Sequence, residues 1–306
     1  MAISKSKLAF LQRVLWGILA GQPRACPYCG ESSCLKLIGR KKLLLEVLRC
    51  SSCALIFRYP AETANGNFSY YQNEYKVAAV TNLPSEHDLE RLIRTDFAGS
   101  PLDYTSKIQA LQALKPSGRV LDFGCSWGYV VHQLSRHGYQ SAGFEISRER
   151  GAFGREKLGL QIFDSVRDLN RLGESAFDII FTNHVLEHLP APKETLELFS
   201  RLLADDGLLF LIGPNFTGAN ARSGLFWDWI GTDHPLAPTD EFLKTVLPRN
   251  GFQDVACGSG PFGERLVQLL RRREFNALDV EGDELLVMAW KMAAHSAPAK
   301  SSLEWT

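Results

Sequence analysis

Three groups of residues in this chain have types and spacings that do chemistry. The first is DFGCSWG, Asp122 to Gly128, at the end of the short apolar run RVLDF. Glycines let the turn be tight and let a ligand approach the backbone. A helix starting after such a turn presents free amide groups that suit an anionic group. Glu145 lies near the end of the next apolar run, SAGFEI, Ser141 to Ile146. A carboxylate there can accept two hydrogen bonds from a ribose diol. A nicotinamide fingerprint would read Gly-x-Gly-x-x-Gly, whereas this loop opens with an acid. The plainer alternative is a glycine turn that only closes a strand–helix connection. Strand, turn, helix, strand and acid nevertheless occur in the order that cofactor binding requires.

The second group is NHVLEHLPAP, Asn183 to Pro192. His184, Glu187 and His188 fall at i, i+3 and i+4, so one helical turn clusters them. His234, in TDHP, could join them from a later insert. Three readings stand side by side. His188 or His184 could take a proton from an acceptor hydroxyl near neutral pH. The three histidines and Glu187 could bind a divalent ion that lowers the acceptor pKa. Or the turn could be held by local hydrogen bonds with no chemistry at all.

The third group is cysteine. Cys26-x2-Cys29 and Cys50-x2-Cys53 are separated by twenty residues, the spacing of a structural zinc site built from two knuckles. Four thiolates would give a closed site that staples a unit with few core residues. Redox-active or incidental thiols are the alternative. Cys34, Cys125 and Cys257 are spare, and seven is an odd count, which argues against a fully paired disulfide framework.

The elements that must position these groups are legible as periodicity. From Arg119 onward, short apolar strands alternate with helical patterns: RVLDFG, Trp127–His137, SAGFEI, Ser147–Leu158, LQIF, FDIIFTN, Lys193–Leu203 and GLLFLIGPN. Such alternation implies βαβ units and a parallel sheet covered on both faces. A helix capped by Thr239 and the strands FQDVAC and ELLVMAW complete the series. The domain reading is an amphipathic helix over residues 1–23, a ribbon unit over 24–60, a Tyr-rich connector and helix over 61–100, an α/β domain over 101–293 and a disordered tail over 294–306. In the first helix Leu8, Leu11, Leu15 and Ile18 form the apolar stripe, read as packing on its own protein. A membrane-surface role for residues 1–20, with Lys5, Lys7 and Arg13 at headgroups, is the second reading. The aromatic segments FSYYQNEY and FWDWIG, Phe226 to Gly231, serve either packing or an acceptor pocket.

Composition narrows the function. Of 306 residues, 45% are apolar, and 34 basic residues balance 34 acidic ones. A protein gripping phosphates usually carries a basic excess, so nucleic acid is not the expected partner. The apolar run Leu8 to Ala20 is interrupted by Gln12 and Arg13 and does not read as a convincing signal peptide, and the expected location is cytoplasmic.

The stretch from about Asp103 to Ala293 resembles a class I S-adenosylmethionine-dependent methyltransferase. That resemblance implies a Rossmann-like, seven-stranded, mostly parallel sheet with helices on both faces and an antiparallel last strand, here ELLVMAW. It implies that Asp122, Gly124, Cys125 and Gly128 surround the methionine part of the cofactor and that Glu145 holds the ribose. It implies that Asp164, with Ser165 beside it, meets adenine, and that Asn183 and His184 meet cofactor and substrate. NHVLEHLPAP resembles a stretch of the family's small-molecule branch. A zinc ribbon, Tyr-rich connector and methyltransferase domain together resemble bacterial enzymes that modify sugars or related metabolites. The C-terminal domain of the sugar C-methyltransferases is not seen here, so O- or N-methylation of a small molecule such as a saccharide or glycan precursor is expected. Cofactors are then S-adenosylmethionine and structural zinc. An RNA methyltransferase gripping RNA with the ribbon and a non-catalytic cofactor-binding scaffold are the competing functions.

Overall fold

The computed structural model describes residues 5–41, 44–73, 82–219, 221–231 and 234–293, with side chains from Phe10 on. The expected tail, and Glu74 and Tyr75 of FSYYQNEY, lie outside the described residues. In chain order the elements are α1 (Lys5–Leu19), β1 (Leu35–Lys41), β2 (Leu45–Cys50), β3 (Ile56–Tyr59), α2 (Ala64–Asn73), α3 (Glu86–Arg94) and α4 (Thr105–Leu114). Then follow β4 (Arg119–Phe123), α5 (Tyr129–Arg136), β5 (Gln140–Phe144), α6 (Arg148–Leu158), β6 (Ile162–Phe163), α7 (Val166–Arg171), β7 (Phe177–Asn183), α8 (Pro192–Leu202) and β8 (Leu203–Pro214). The chain continues with α9 (Phe226–Trp229), β9 (Leu236–Ala237), α10 (Asp240–Val246), β10 (Phe252–Ser259), α11 (Glu264–Arg272) and β11 (Glu284–Lys291).

Seven strands form one sheet in the order β10-β11-β8-β7-β4-β5-β6. The β4, β5, β6, β7 and β8 pairings are parallel, and β11 runs antiparallel to both neighbours. The fully buried runs, such as Leu208 to Ile212, are what a sheet covered on both faces demands. One face packs around Leu121, Ile180, Leu209 and Phe199, the other around Val120, Ile179, Phe210 and Leu111. Strand order reverses at β4, whose neighbours are β5 and β7. The cleft beyond the carboxyl ends of those strands is the place for a ligand, and the glycine loop, Glu145 and Asn183 all arrive there.

A second, four-stranded sheet has the order β1-β2-β3-β9. Its last strand comes from the insert after β8, with Ile56 opposite Ala237 and Phe57 opposite Leu236. The ribbon unit is thus stitched to the large domain. Tyr28, Leu48 and Leu55 share a core with Phe242 and Leu243.

Three expectations change. Helix α11 was not anticipated; its Arg-rich sequence hides a stripe of Leu266, Val267 and Leu270 that is buried. In α1, Phe10 and Val14 are buried against Leu45, while Leu15 and Ile18 of the expected stripe are exposed; the side chain of Leu8 lies outside the described residues. FSYYQNEY is helical through Asn73, as part of α2. No helix among the described residues is long and apolar enough to cross a membrane.

Candidate functional site

The glycine loop is pinned from below. Gly124 and Cys125 both donate their amides to the Phe144 carbonyl, at 2.8 and 3.0 Å. Gly124 has φ +90°, and a Cβ there would stand 2.3 Å from Val185 Cγ2. Left-handed backbone and close approach together require glycine. Glu145 is 6% exposed. It accepts the Ser126 amide at 2.9 Å on one oxygen and the Ser147 amide at 2.7 Å on the other. The acid therefore shapes the loop as well as facing the cleft. Burial raises its pKa, against the lowering effect of those amides and of Arg150. Burial first, then the charge of Glu145, pushes Asp122 up to about 8. Asp122 Oδ2 and Ser126 Oγ are buried and find no hydrogen-bond partner in the protein. Buried polar atoms without partners are costly, so the loop is built for a polar ligand.

A cavity of about 510 Å³ opens here. Of the expected site residues, Gly124, Glu145, Asn183, His184 and His188 line it. Cys125 is buried beneath the loop and Gly128 caps α5 in a left-handed conformation. Asp164 pairs with Arg155 at 3.3 Å, and Ser165 caps α7 by accepting the Asp168 amide. Neither lines the cavity. A larger depression of about 880 Å³, lined by Lys115, Asp206, Arg273 and Trp290 among others, lies at the amino-terminal ends of the strands, and none of the expected site residues faces it.

Asn67 and Tyr71 of α2 also line the cavity. Asn67 donates to the His188 carbonyl at 2.8 Å and Gln72 to the Ile146 carbonyl at 2.6 Å, so α2 straps the cleft. Tyr104, which precedes α4, Lys107 of α4, Tyr129 of α5, Arg150 of α6 and Glu284 of β11 also line it. None of these five stood out in the sequence. Lys107 Nζ reaches Asn183 Oδ1 at 3.0 Å and Glu284 Oε1 at 2.7 Å, and Asn183 donates to the Tyr104 hydroxyl at 3.0 Å.

Glu187 and His188 lie on one 3-10 turn after β7, Leu186–His188, and His184 on the bend that leads into it. His184 adopts φ +54°, a strained conformation that marks functional turns. Its Nε2 lies 2.8 Å from Glu284 Oε1 and its Nδ1 3.5 Å from Glu187 Oε1. Burial opposes its charge, but the two carboxylates outweigh that and raise its pKa to about 9. Glu187 is 1% exposed. Burial would raise its pKa, yet His184 first, then the charges of His188 and His234, lower it to about 2. His234 does join, its ring centroid 4.7 Å from that of His188. The FWDWIG aromatics do not form an acceptor pocket. Phe226 and Trp229 pack with Phe216, Ile230 and Val47 of the small sheet, and Trp227 lies against Gly39 of β1.

The cysteines converge as their spacing predicts. Sγ atoms of Cys26 and Cys53 are 3.5 Å apart, those of Cys29 and Cys50 3.5 Å, and those of Cys29 and Cys53 3.7 Å. Tetrahedral Zn–S bonds of about 2.3 Å set S···S edges of about 3.8 Å, so these residues fit the ion.

The sheet order, the loop at its reversal and the polar cleft define a Rossmann-like enzyme domain that binds a nucleoside-type cofactor. A family profile described as a methyltransferase domain matches residues 72–262. Over 249 residues the chain is 30% identical to a ubiquinone biosynthesis O-methyltransferase of Xanthomonas oryzae pv. oryzae (strain PXO99A), covering 76% of this chain and 91% of the relative. It is 32% identical over 201 residues to the protein of that name in Xanthomonas campestris pv. campestris (strain B100), covering 63% and 74%. The solved plantazolicin methyltransferase BamL, in complex with a triazolic desmethylPZN analog and SAH, has TM-score 0.50 and 16% identity, covering 74% of this chain and 94% of that one; it shows the fold. The chain belongs to the methyltransferase-domain family and is a class I S-adenosylmethionine-dependent methyltransferase acting on a small molecule.

Proposed function

We propose that the chain methylates a hydroxyl oxygen of a small acceptor held at the Glu187–His188 end of the cavity. The observation that carries this reading is His188 at the cavity wall with a buried carboxylate beside it. S-adenosylmethionine supplies a methyl group on a sulfonium, so transfer needs chiefly in-line positioning of the acceptor. In this reading Asp122 accepts hydrogen bonds from the cofactor's ammonium group. Gly124, Cys125 and Gly128 shape the loop around the methionine part. Glu145 keeps lone pairs free for the ribose hydroxyls, and Asn183 sits between the methionine part and the acceptor. Asp164 and Ser165, engaged by Arg155 and by α7, receive no role. Both ring nitrogens of His184 face carboxylates, so it braces the turn, and His188 meets the acceptor.

The name of the relatives supports oxygen as the acceptor atom. The likeness of the ribbon and connector to sugar-modifying enzymes favours a saccharide or glycan precursor. In the same reading Cys26, Cys29, Cys50 and Cys53 hold a structural zinc ion. A labelled-methyl screen over nucleotide sugars and other hydroxylated small molecules tests the proposal. His188→Ala should lower turnover at least about tenfold while S-adenosylhomocysteine affinity stays within about threefold. Unchanged turnover would remove His188 from the chemistry.

A further inference from the structure

We propose that the outward face of α1 docks the protein on an anionic lipid bilayer, lying among the headgroups without crossing the membrane. The part of α1 whose side chains are described is apolar on both sides. Phe10 and Val14 are buried against Leu45 of β2, and a Cβ on Gly17 would stand 3.0 Å from Pro60. On a helix of about 3.6 residues per turn, Leu15, Trp16 and Leu19 fall on the opposite side. Trp16 is 73% exposed and Leu19 81%, and Leu15 and Ile18 are exposed as well. A helix face turned to water carries polar side chains. Four large apolar ones together mark a contact surface.

The fold holds this face outward, so it cannot roll in to bury itself. The Arg58 guanidinium lies 5.3 Å from the Phe10 ring, and that of Arg13 lies 5.9 Å from the Tyr70 ring of α2. Just beyond α1, Gln22 donates to the Ala61 carbonyl at 3.2 Å, and the Tyr59 hydroxyl donates to the Gln22 carbonyl at 2.7 Å.

Charge selects the occupant. Residues 1–45 hold eight Lys and Arg against one acid, Glu31, while the whole chain balances 34 basic residues with 34 acidic ones. The rest of the chain is therefore net negative, and this end is the one drawn to an anionic surface. Two acids packed near α1 are already neutralised. Arg24 and Arg40 hold Glu46 of β2 at 2.9 and 3.1 Å, and Arg58 holds Glu62 at 2.7 Å. Lys36 and Arg40 of β1, the strand paired with β2, are exposed. Protein interfaces are poor in Lys, whereas anionic headgroups attract it. Trp settles at the boundary between headgroups and acyl chains. With 15 residues, α1 is shorter than the roughly 20 needed to span a bilayer, so it lies in the interface.

The test is sedimentation of the full chain with vesicles of phosphatidylcholine carrying about one-quarter phosphatidylglycerol, beside vesicles of phosphatidylcholine alone. Partition onto the anionic vesicles is expected, at least about tenfold stronger than onto the neutral ones. The double variant Trp16→Ser, Leu19→Ser should lose at least about tenfold in that partition. Both side chains are exposed, so its S-adenosylhomocysteine affinity should stay within about threefold, which reports a folded chain. If the variant fails to fold, wild-type tryptophan emission gives the answer, because Trp16 is the most exposed tryptophan among the described residues. Brominated acyl chains should quench it in anionic vesicles. No sedimentation at low salt, equal partition onto neutral vesicles, or undiminished binding by a folded double variant overturns the proposal, as does the absence of quenching. A dimer that the double variant abolishes, with no vesicle binding, gives the face to a second copy of the chain and overturns the bilayer. The proposal does not depend on the acceptor: a failed acceptor screen leaves it standing.

Discussion

Replacing Glu145 by alanine separates the two jobs this carboxylate performs. Its oxygens accept the Ser126 and Ser147 amides at 2.9 and 2.7 Å. Removing them leaves two buried donors without an acceptor, at about 1–3 kcal/mol each. Burial already disfavours the ionised acid, which offsets part of that loss. A net destabilisation of about 2 kcal/mol follows. The cofactor ribose would lose two charge-assisted hydrogen bonds, at about 1.5 kcal/mol each. That corresponds to roughly a hundredfold at about 1.4 kcal/mol per tenfold, and water entering the gap reduces it toward tenfold. The assay is calorimetric titration with S-adenosylhomocysteine, beside a thermal melt of the same protein. Glu145→Gln keeps an acceptor for one amide but turns an NH2 group toward the other, and should fall between. A folded Glu145→Ala protein that binds S-adenosylhomocysteine within about threefold of wild type would refute the ribose assignment.

The remaining predictions probe the loop, its charges and the ribbon. Gly124→Ala should cost about 2–4 kcal/mol, because it adds left-handed strain to a Cβ contact with Val185. Adding Val185→Ala should recover only the contact part, and full recovery in denaturant melts would show that backbone strain is negligible. Asp122, raised to about 8 by burial and then by Glu145, binds a proton in the folded chain that the unfolded chain has released. Its contribution is therefore present in full below about pH 4 and lost as pH rises through about 8. A cofactor ammonium offsets that loss, so S-adenosylhomocysteine should raise Tm more at about pH 8.5 than at about pH 6; equal shifts would count against the pairing. If the four thiolates hold zinc as proposed, Cys50→Ser should lower the zinc content per chain and cost about 3 kcal/mol or more of stability, because Cys50 lies fully buried among Leu48 and Leu55. Metal analysis showing an unchanged zinc content would reject the four-thiolate site.

Much of this protein was legible without coordinates, and the reason is locality. RVLDFG, DFGCSWG and SAGFEI state strand, turn and strand within consecutive residues, because hydrophobic period and left-handed glycine act over a few positions. The two Cys-x2-Cys pairs carry their geometry in their spacing. His184, Glu187 and His188 cluster because one turn of backbone brings them together. What the sequence hid is what depends on partners far along the chain. Glu284 reads as a polar residue opening a strand, and Lys107 as a solvated helix position. Only the pairing of β11 with β8 and the docking of α4 place them on Asn183 and His184. FWDWIG has the composition of an acceptor pocket, but the pairing of β9 with β3 draws the insert onto the small sheet, where Phe226 and Trp229 pack. That same pairing holds His234 beside His188. Side-chain type and spacing decided which chemistry was available. Non-local strand pairing decided which of those side chains share a site.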